Sequence, residues 1–131
     1  MSMNKSNAIE KKEANYVEFI IYRFPKKNEK SVRQIITKSL DFFRNEGVRY
    51  DYFKLGSREN IPGFTNITKT ISATPREEVW MDLIYYRDRN HRDQFVANMS
   101  NNKECQAGYE EFTKLITPGS EIINGEFSRM T

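Results

Sequence analysis

The sequence predicts an α+β fold, a four-stranded antiparallel sheet with helices packed on one face. Three observations carry this. The periodic segments fall in the order β-α-β-β-α-β, with the second helix broken in two. The extended runs have the lengths of sheet strands, and one helix fills the gap between the first two strands. This is the ferredoxin-like arrangement, in which the first and third strands lie side by side at the centre.

Residues 1–14 are polar and charged and read as a flexible extension, leaving 15–131 as a single domain. NYVEFIIYRF, residues 15–24, is rich in aromatic and β-branched residues and is closed by Pro25, so it forms the first strand. A helix follows with Asn28 as N-cap. Val32, Ile35, Ile36 and Phe43 lie on one face, and Gly47 sits where a C′ glycine belongs. VRYDYFKLG, residues 48–56, is the second strand. Residues 57–77 contain Pro62-Gly63, a threonine-rich run and Pro75, which predicts a long connection with one short strand inside it. EEVWMDLIYY, residues 77–86, is the third strand. A helix begins near Asp88 or Asn90, breaks around 100–102, and resumes from Lys103 to Ile116 with Cys105, Tyr109, Phe112 and Ile116 on one stripe. Pro118-Gly119 stops it, and EIINGEFSRM supplies the last strand.

HRDQFVAN, residues 91–98, spells the kinase catalytic-loop pattern at every fixed position. That loop works only beside a glycine-rich phosphate loop, a strand lysine and a D-F-G aspartate. The chain has neither G-x-G-x-x-G nor D-F-G, and 131 residues are too few for two lobes. Helix chemistry accounts for the stretch instead. Arg92, Phe95, Val96 and Met99 recur at helical spacing, which turns Asp93 toward water and leaves His91 in a solvated first turn.

Composition narrows the function classes. The chain is 37% hydrophobic and 30% charged with a net charge of +3, and its basic and acidic residues are interspersed rather than gathered into a nucleic-acid stripe. One cysteine excludes an internal disulfide and any cysteine-based zinc cluster. No apolar run approaches a membrane span, and the N-terminal segment lacks the apolar core of a signal peptide, so a cytoplasmic location is expected. No residue set calls for a metal or a cofactor. A haem ligated by His91 would need that ring to face a cavity, which a solvated first turn does not offer.

Alternation splits each central strand into two sets. Val17, Phe19 and Ile21, with Val79, Met81 and Leu83, are wholly apolar and are expected to face the helices. The opposite sets are Tyr16, Glu18, Ile20 and Tyr22, and Trp80, Asp82, Ile84 and Tyr86. They are too apolar for a face left in water, which predicts a partner surface. A second copy of the same sheet, packed about a two-fold axis, is the economical partner. The expectation is therefore a homodimer, a dimeric α+β barrel, with Glu18 and Asp82 close together in its interior and Asn124 and Glu126 beside them. Two carboxylates in a poorly solvated space raise one another's pKa, as acid–base sites require. An arginine or lysine such as Lys54 could instead neutralise them in a purely structural network.

With these elements placed, the chain resembles a known group. YVEF followed by PKKN, the EEVW strand, the YRDRNHRD junction and the closing GEF are similar to segments of the YbaA-like family, catalogued as domain of unknown function 1428. The similarity runs from about Tyr16 to Phe127. The resemblance implies a dimeric α+β barrel of ferredoxin-like subunits without an established activity, and it carries the family's strand-one acid onto Glu18. IPGFTNITKT departs from the family's aspartate-rich loop, so no site is carried over there.

Three functions are weighed. In the first, the barrel interior binds a small apolar or aromatic molecule, with Glu18 and Asp82 as acid–base groups and Tyr22, Trp80, Tyr86, Asn124 and Glu126 lining the pocket, in the manner of a cofactor-independent enzyme. In the second, the chain is a non-catalytic interaction or regulatory module, in keeping with one histidine, one cysteine and no phosphate loop. RNA binding through the sheet is the third. It lacks the RNP pattern, and acids on the sheet face would repel phosphate.

Overall fold

The computed structural model describes residues 8–131. Strand β1 (Tyr16–Pro25) leads through a 3₁₀ turn into helix α1 (Glu29–Asn45), then β2 (Arg49–Lys54). A long connection carrying the single-turn α2 (Ile67–Thr70) precedes β3 (Glu77–Tyr86). Helices α3 (Arg89–Ser100) and α4 (Lys103–Leu115) lead to β4 (Ile123–Ser128). The strands form one antiparallel sheet in the order β2-β3-β1-β4, with β1 and β3 central as the element order requires.

Local chemistry sets the helix ends. Asn28 stands at the N-cap of α1, but its amide reaches across to the Leu115 carbonyl at 2.9 Å and so ties α1 to the end of α4. At the other end, the Val48 and Gly47 N–H groups return to the carbonyls of Phe43 and Arg44, with Gly47 left-handed, which is the Schellman closure. Asp88 caps α3 by accepting the His91 N–H at 2.8 Å, and Asn102 caps α4 by accepting from Cys105 at 2.9 Å. Two predictions shift here. The connection holds a helical turn capped by Asn66, not a strand. The inward side of α4 runs through the half-buried Cys105, Gly108, Phe112 and Leu115, and Ile116 is buried in the core just past the helix end, so of the expected stripe Tyr109 points outward with 59% of its surface exposed.

The larger correction concerns the sheet's two faces. The set that meets the helices is Tyr16, Glu18, Ile20, Tyr22 and Phe24 from β1, with Trp80, Ile84 and Tyr86 from β3. Tyr22, Phe24 and Trp80 pack with Val32 and Ile36 of α1, and Ile84 and Tyr86 pack with Phe95 of α3. Val17, Phe19, Ile21, Met81 and Leu83 turn the other way. The aromatics of the helix-facing set fill the layer under the helices and carry polar tips that find partners inside it, Tyr22 at Asp82, Tyr86 at Glu18 and the Trp80 indole at Glu78.

That opposite face is open in its middle. The 55–74 segment folds over one end, where the Leu55 N–H meets the Val79 carbonyl at 2.8 Å and Arg58 binds the carbonyls of Thr74 and Glu77. At the other end, Lys11 lies 3.6 Å from Asp51 and over the Tyr85 ring. Residues 8–14 of the expected extension thus carry a 3₁₀ turn, and Ala14 is fully buried. The extension's first seven residues lie outside the described ones. Between the two ends remain Phe19, Met81 and Leu83, with Phe53 45% and Phe127 56% exposed at the edges.

Candidate functional site

Two acid clusters lie in the layer between sheet and helices. Their spacing follows from register. Glu18 pairs with Ile84 and Glu126, and Ile20 pairs with Asp82 and Asn124. Glu18 and Asp82 therefore share a face, one pleat apart diagonally.

The first cluster centres on Glu18, which is 5% exposed. Arg92 of α3 reaches it at 3.3 Å and also touches Glu126 at 3.3 Å. Tyr86 donates its hydroxyl to Glu18 at 3.2 Å, the Asn124 amide approaches to 3.4 Å, and Tyr16 donates to Glu126 at 2.6 Å. Each Glu18 oxygen has a partner, so this is an ion-pair network that docks α3 onto the sheet. The neutralising cation is Arg92. Lys54 pairs with Glu78 and Glu29 instead.

Arg92 belongs to the HRD stretch, whose three residues now divide cleanly. Arg92 holds Glu18, and Asp93 is solvent-facing and pairs with Arg89 and Arg92. His91 is 6% exposed, which corrects the solvated reading. Its Nδ1 accepts the Arg87 N–H at 3.0 Å, so its Nε2 carries the proton and donates to the Glu46 carbonyl at 2.8 Å. The ring staples the start of α3 to the end of α1.

The second cluster is Asp82 on β3. Tyr22 donates to its Oδ1 at 3.0 Å, and Tyr50 of β2 hydrogen-bonds to it as well. No cation is paired with Asp82 among the described residues. Burial pushes its carboxyl up to about 6, and the two phenols pull in the opposite direction without overcoming it. Burial, with the charge of Asp82 beside them, holds the Tyr22 and Tyr50 hydroxyls well above the usual phenol range, so both stay protonated donors. Such a carboxyl can give or take a proton near neutral pH.

Of the other expected pocket residues, Tyr86, Asn124 and Glu126 join the Glu18 network and Tyr22 joins Asp82. Trp80 stands apart. Its indole donates to Glu78 at 3.1 Å, it packs edge-on with Phe24, and the Arg33 guanidinium lies 5.1 Å over its ring. Sequence reading missed Arg92 and Tyr50. Spacing places Arg92 on an amphipathic helix face without naming its partner, and Tyr50 has the same strand parity as Asp82's neighbours, a signal that register alone turns into contact.

Two surface concavities among the described residues are lined by neither Glu18 nor Asp82. One of about 470 Å³ lies between α1 and α4, against Ile35, Phe42, Cys105 and Gly108. The other, about 320 Å³, lies on the open sheet face against Ile21, Phe53, Leu55, Ile67, Val79 and Met81. Among the described residues, no cluster of three metal-ligating side chains occurs, and no helix is long and apolar enough to cross a membrane.

Comparison with known proteins adds the family. The model described as protein of unknown function (DUF1428) matches residues 15–114. No curated protein matches the sequence. Among solved structures, an uncharacterized NIPSNAP-like domain protein from Burkholderia xenovorans is similar with a TM-score of 0.59 at 17% identity, over 91% of this chain and 88% of that one. A NIPSNAP family protein from Agrobacterium tumefaciens gives 0.53 at 12% identity, over 96% and 95%. SnoaB, a cofactor-independent oxygenase from Streptomyces nogalater, gives 0.52 at 12% identity, over 90% and 96%. At these identities the likeness is one of fold: a ferredoxin-like α+β subunit.

Proposed function

The chain belongs to the DUF1428 family, and from that premise we propose that it works as a homodimeric α+β barrel that binds a small apolar or aromatic molecule beside Asp82. The sheets pair through the Val17, Phe19, Ile21, Met81 and Leu83 face, not through the tryptophan-bearing one. The ligand then reaches Asp82 from the helix side of each subunit, where neither concavity opens, so binding parts the packed aromatic layer around Tyr22 and Tyr50.

The observation that carries the chemical part is an uncompensated carboxyl with a pKa of about 6, held by two protonated phenols among aromatic walls. As carboxylate, Asp82 takes a proton from an acidic hydroxyl or activated C–H of the bound molecule. As the neutral acid it returns that proton. Tyr22 and Tyr50 keep the carboxylate oriented and donate to the negative charge. SnoaB carries cofactor-independent chemistry on the same fold, which is an analogy of architecture and supplies no substrate. The YbaA-like identification rests on the motifs at Tyr16 and Pro25, which name no subgroup.

A second reading has its own observation. Every Glu18 oxygen is already paired, so Glu18 is structural, and a chain with Asp82 equally inert would be a non-catalytic module. A thermal-shift screen of quinones and aromatic phenols separates the two. The proposal expects at least one class to raise the melting temperature of the wild-type protein and to lose that effect in Asp82→Asn. Ligand shifts that Asp82→Asn leaves unchanged would contradict the assignment.

A further inference from the structure

We infer that the Ile61–Phe64 tip of one copy seats in the apolar groove on the open sheet face of the other. This rests on the homodimer proposed above and adds which segment completes its interface.

The tip is apolar and exposed, with Ile61 59% and Phe64 75% accessible. It is not slack chain. Ile61-Pro62-Gly63-Phe64 is a tight turn in which the Phe64 N–H returns to the Ile61 carbonyl at 2.9 Å. Pro62 and Gly63, the latter at φ +85°, occupy the two central places that a type II turn reserves for them. The base is tied by Asn66, whose amide donates to the carbonyls of Ser57 and Glu59 at 3.1 and 3.2 Å, and by Arg58 to Thr74. Two large hydrophobes are therefore presented in fixed positions, with little entropy left to lose on docking.

The groove on the same face is lined by Ile21, Phe53, Leu55, Ile67, Val79 and Met81, and at about 320 Å³ it admits an aromatic ring. It lies at the end of the sheet where the 55–74 segment folds over. Area gives the reason for an exchange. Four strands of six to ten residues present a flat face of roughly 500 Å² at the usual strand spacing. A stable interface buries about 800 Å² on each partner. Twisted sheets crossing face to face overlap even less at their corners. The tip is the apolar surface that makes up the difference, and a two-fold axis makes the exchange reciprocal, each tip in the other's groove.

Cross-linking between two differently tagged chains tests this. In a Cys105→Ser background, one chain carries Phe64→Cys and the other Phe53→Cys, and a short bis-maleimide is added to the mixture. The expected product joins the two tags covalently, and Ile61→Ser/Phe64→Ser weakens the dimer about tenfold by sedimentation. Both residues are exposed, so these variants fold. A protein that still sediments as a dimer but yields no mixed-tag product, or whose dissociation constant is unmoved by the double substitution, overturns the inference and leaves the dimer standing. A monomeric wild type overturns the dimer itself.

Discussion

Glu18 and Asp82 stand one pleat apart on the same face, yet their electrostatic situations are opposite. Glu18 is bound by Arg92, Tyr86 and Asn124, whereas Asp82 has phenols alone. The difference predicts opposite responses to neutral isosteres. Because burial raises Asp82 to about 6 in the folded protein, the folded state holds the proton longer than the unfolded chain does. Stability is therefore lost as pH rises from about 4, the unfolded carboxyl range, through about 6, and stays lower above it. Asp82→Asn removes that penalty and is expected to gain on the order of 2 kcal/mol over wild type at pH 7.5, the gain shrinking below pH 5. Glu18→Gln leaves the Arg92 charge short of a buried partner and is expected to cost about 2 kcal/mol. Urea unfolding across pH checks both. A loss on Asp82→Asn at pH 7.5 would mean that the carboxylate is stabilised by something other than the two tyrosines.

At the scale of elements, the chain states its strands and helices openly and hides which way the sheet faces. Apolar runs closed by Pro25, Gly47 and Pro118 mark the elements because proline and glycine act locally. Alternation likewise separates Val17, Phe19 and Ile21 from Glu18, Ile20 and Tyr22. Both sets are apolar enough to be buried, so periodicity cannot say which one meets the helices. The strand pattern alone therefore puts the aromatics and acids on the open side, opposite to where the fold has them. The Asp82 cluster survives because Glu18, Tyr22 and Asp82 share a parity whichever side they face. Arg92 could not be found from spacing, since its partner lies 74 residues away. The open face also holds a packing device. A Cβ on Gly125 would come within 2.5 Å of the Phe19 ring, which stacks on Phe127 at 5.6 Å. Gly125→Ala is expected to displace that ring pair and destabilise the protein by about 1–3 kcal/mol, as overpacking does. An unchanged denaturation midpoint would show that Phe19 moves aside freely.

For the whole molecule, a four-stranded sheet covered on one side leaves an apolar surface that a lone subunit would expose to water. The 55–74 segment and the Lys11 turn close its ends and leave Phe19, Phe53, Met81, Leu83 and Phe127 for another molecule. In the proposed homodimer a second copy covers this surface with no further partner and leaves the helix side of each subunit free for the role proposed for Asp82. Sedimentation velocity of the wild type beside Phe53→Asp tests this most directly. The account predicts a wild-type dimer at micromolar concentration and a folded Phe53→Asp monomer with unchanged circular dichroism. A wild type that sediments as a monomer at that concentration, or a variant as dimeric as its parent, would contradict it.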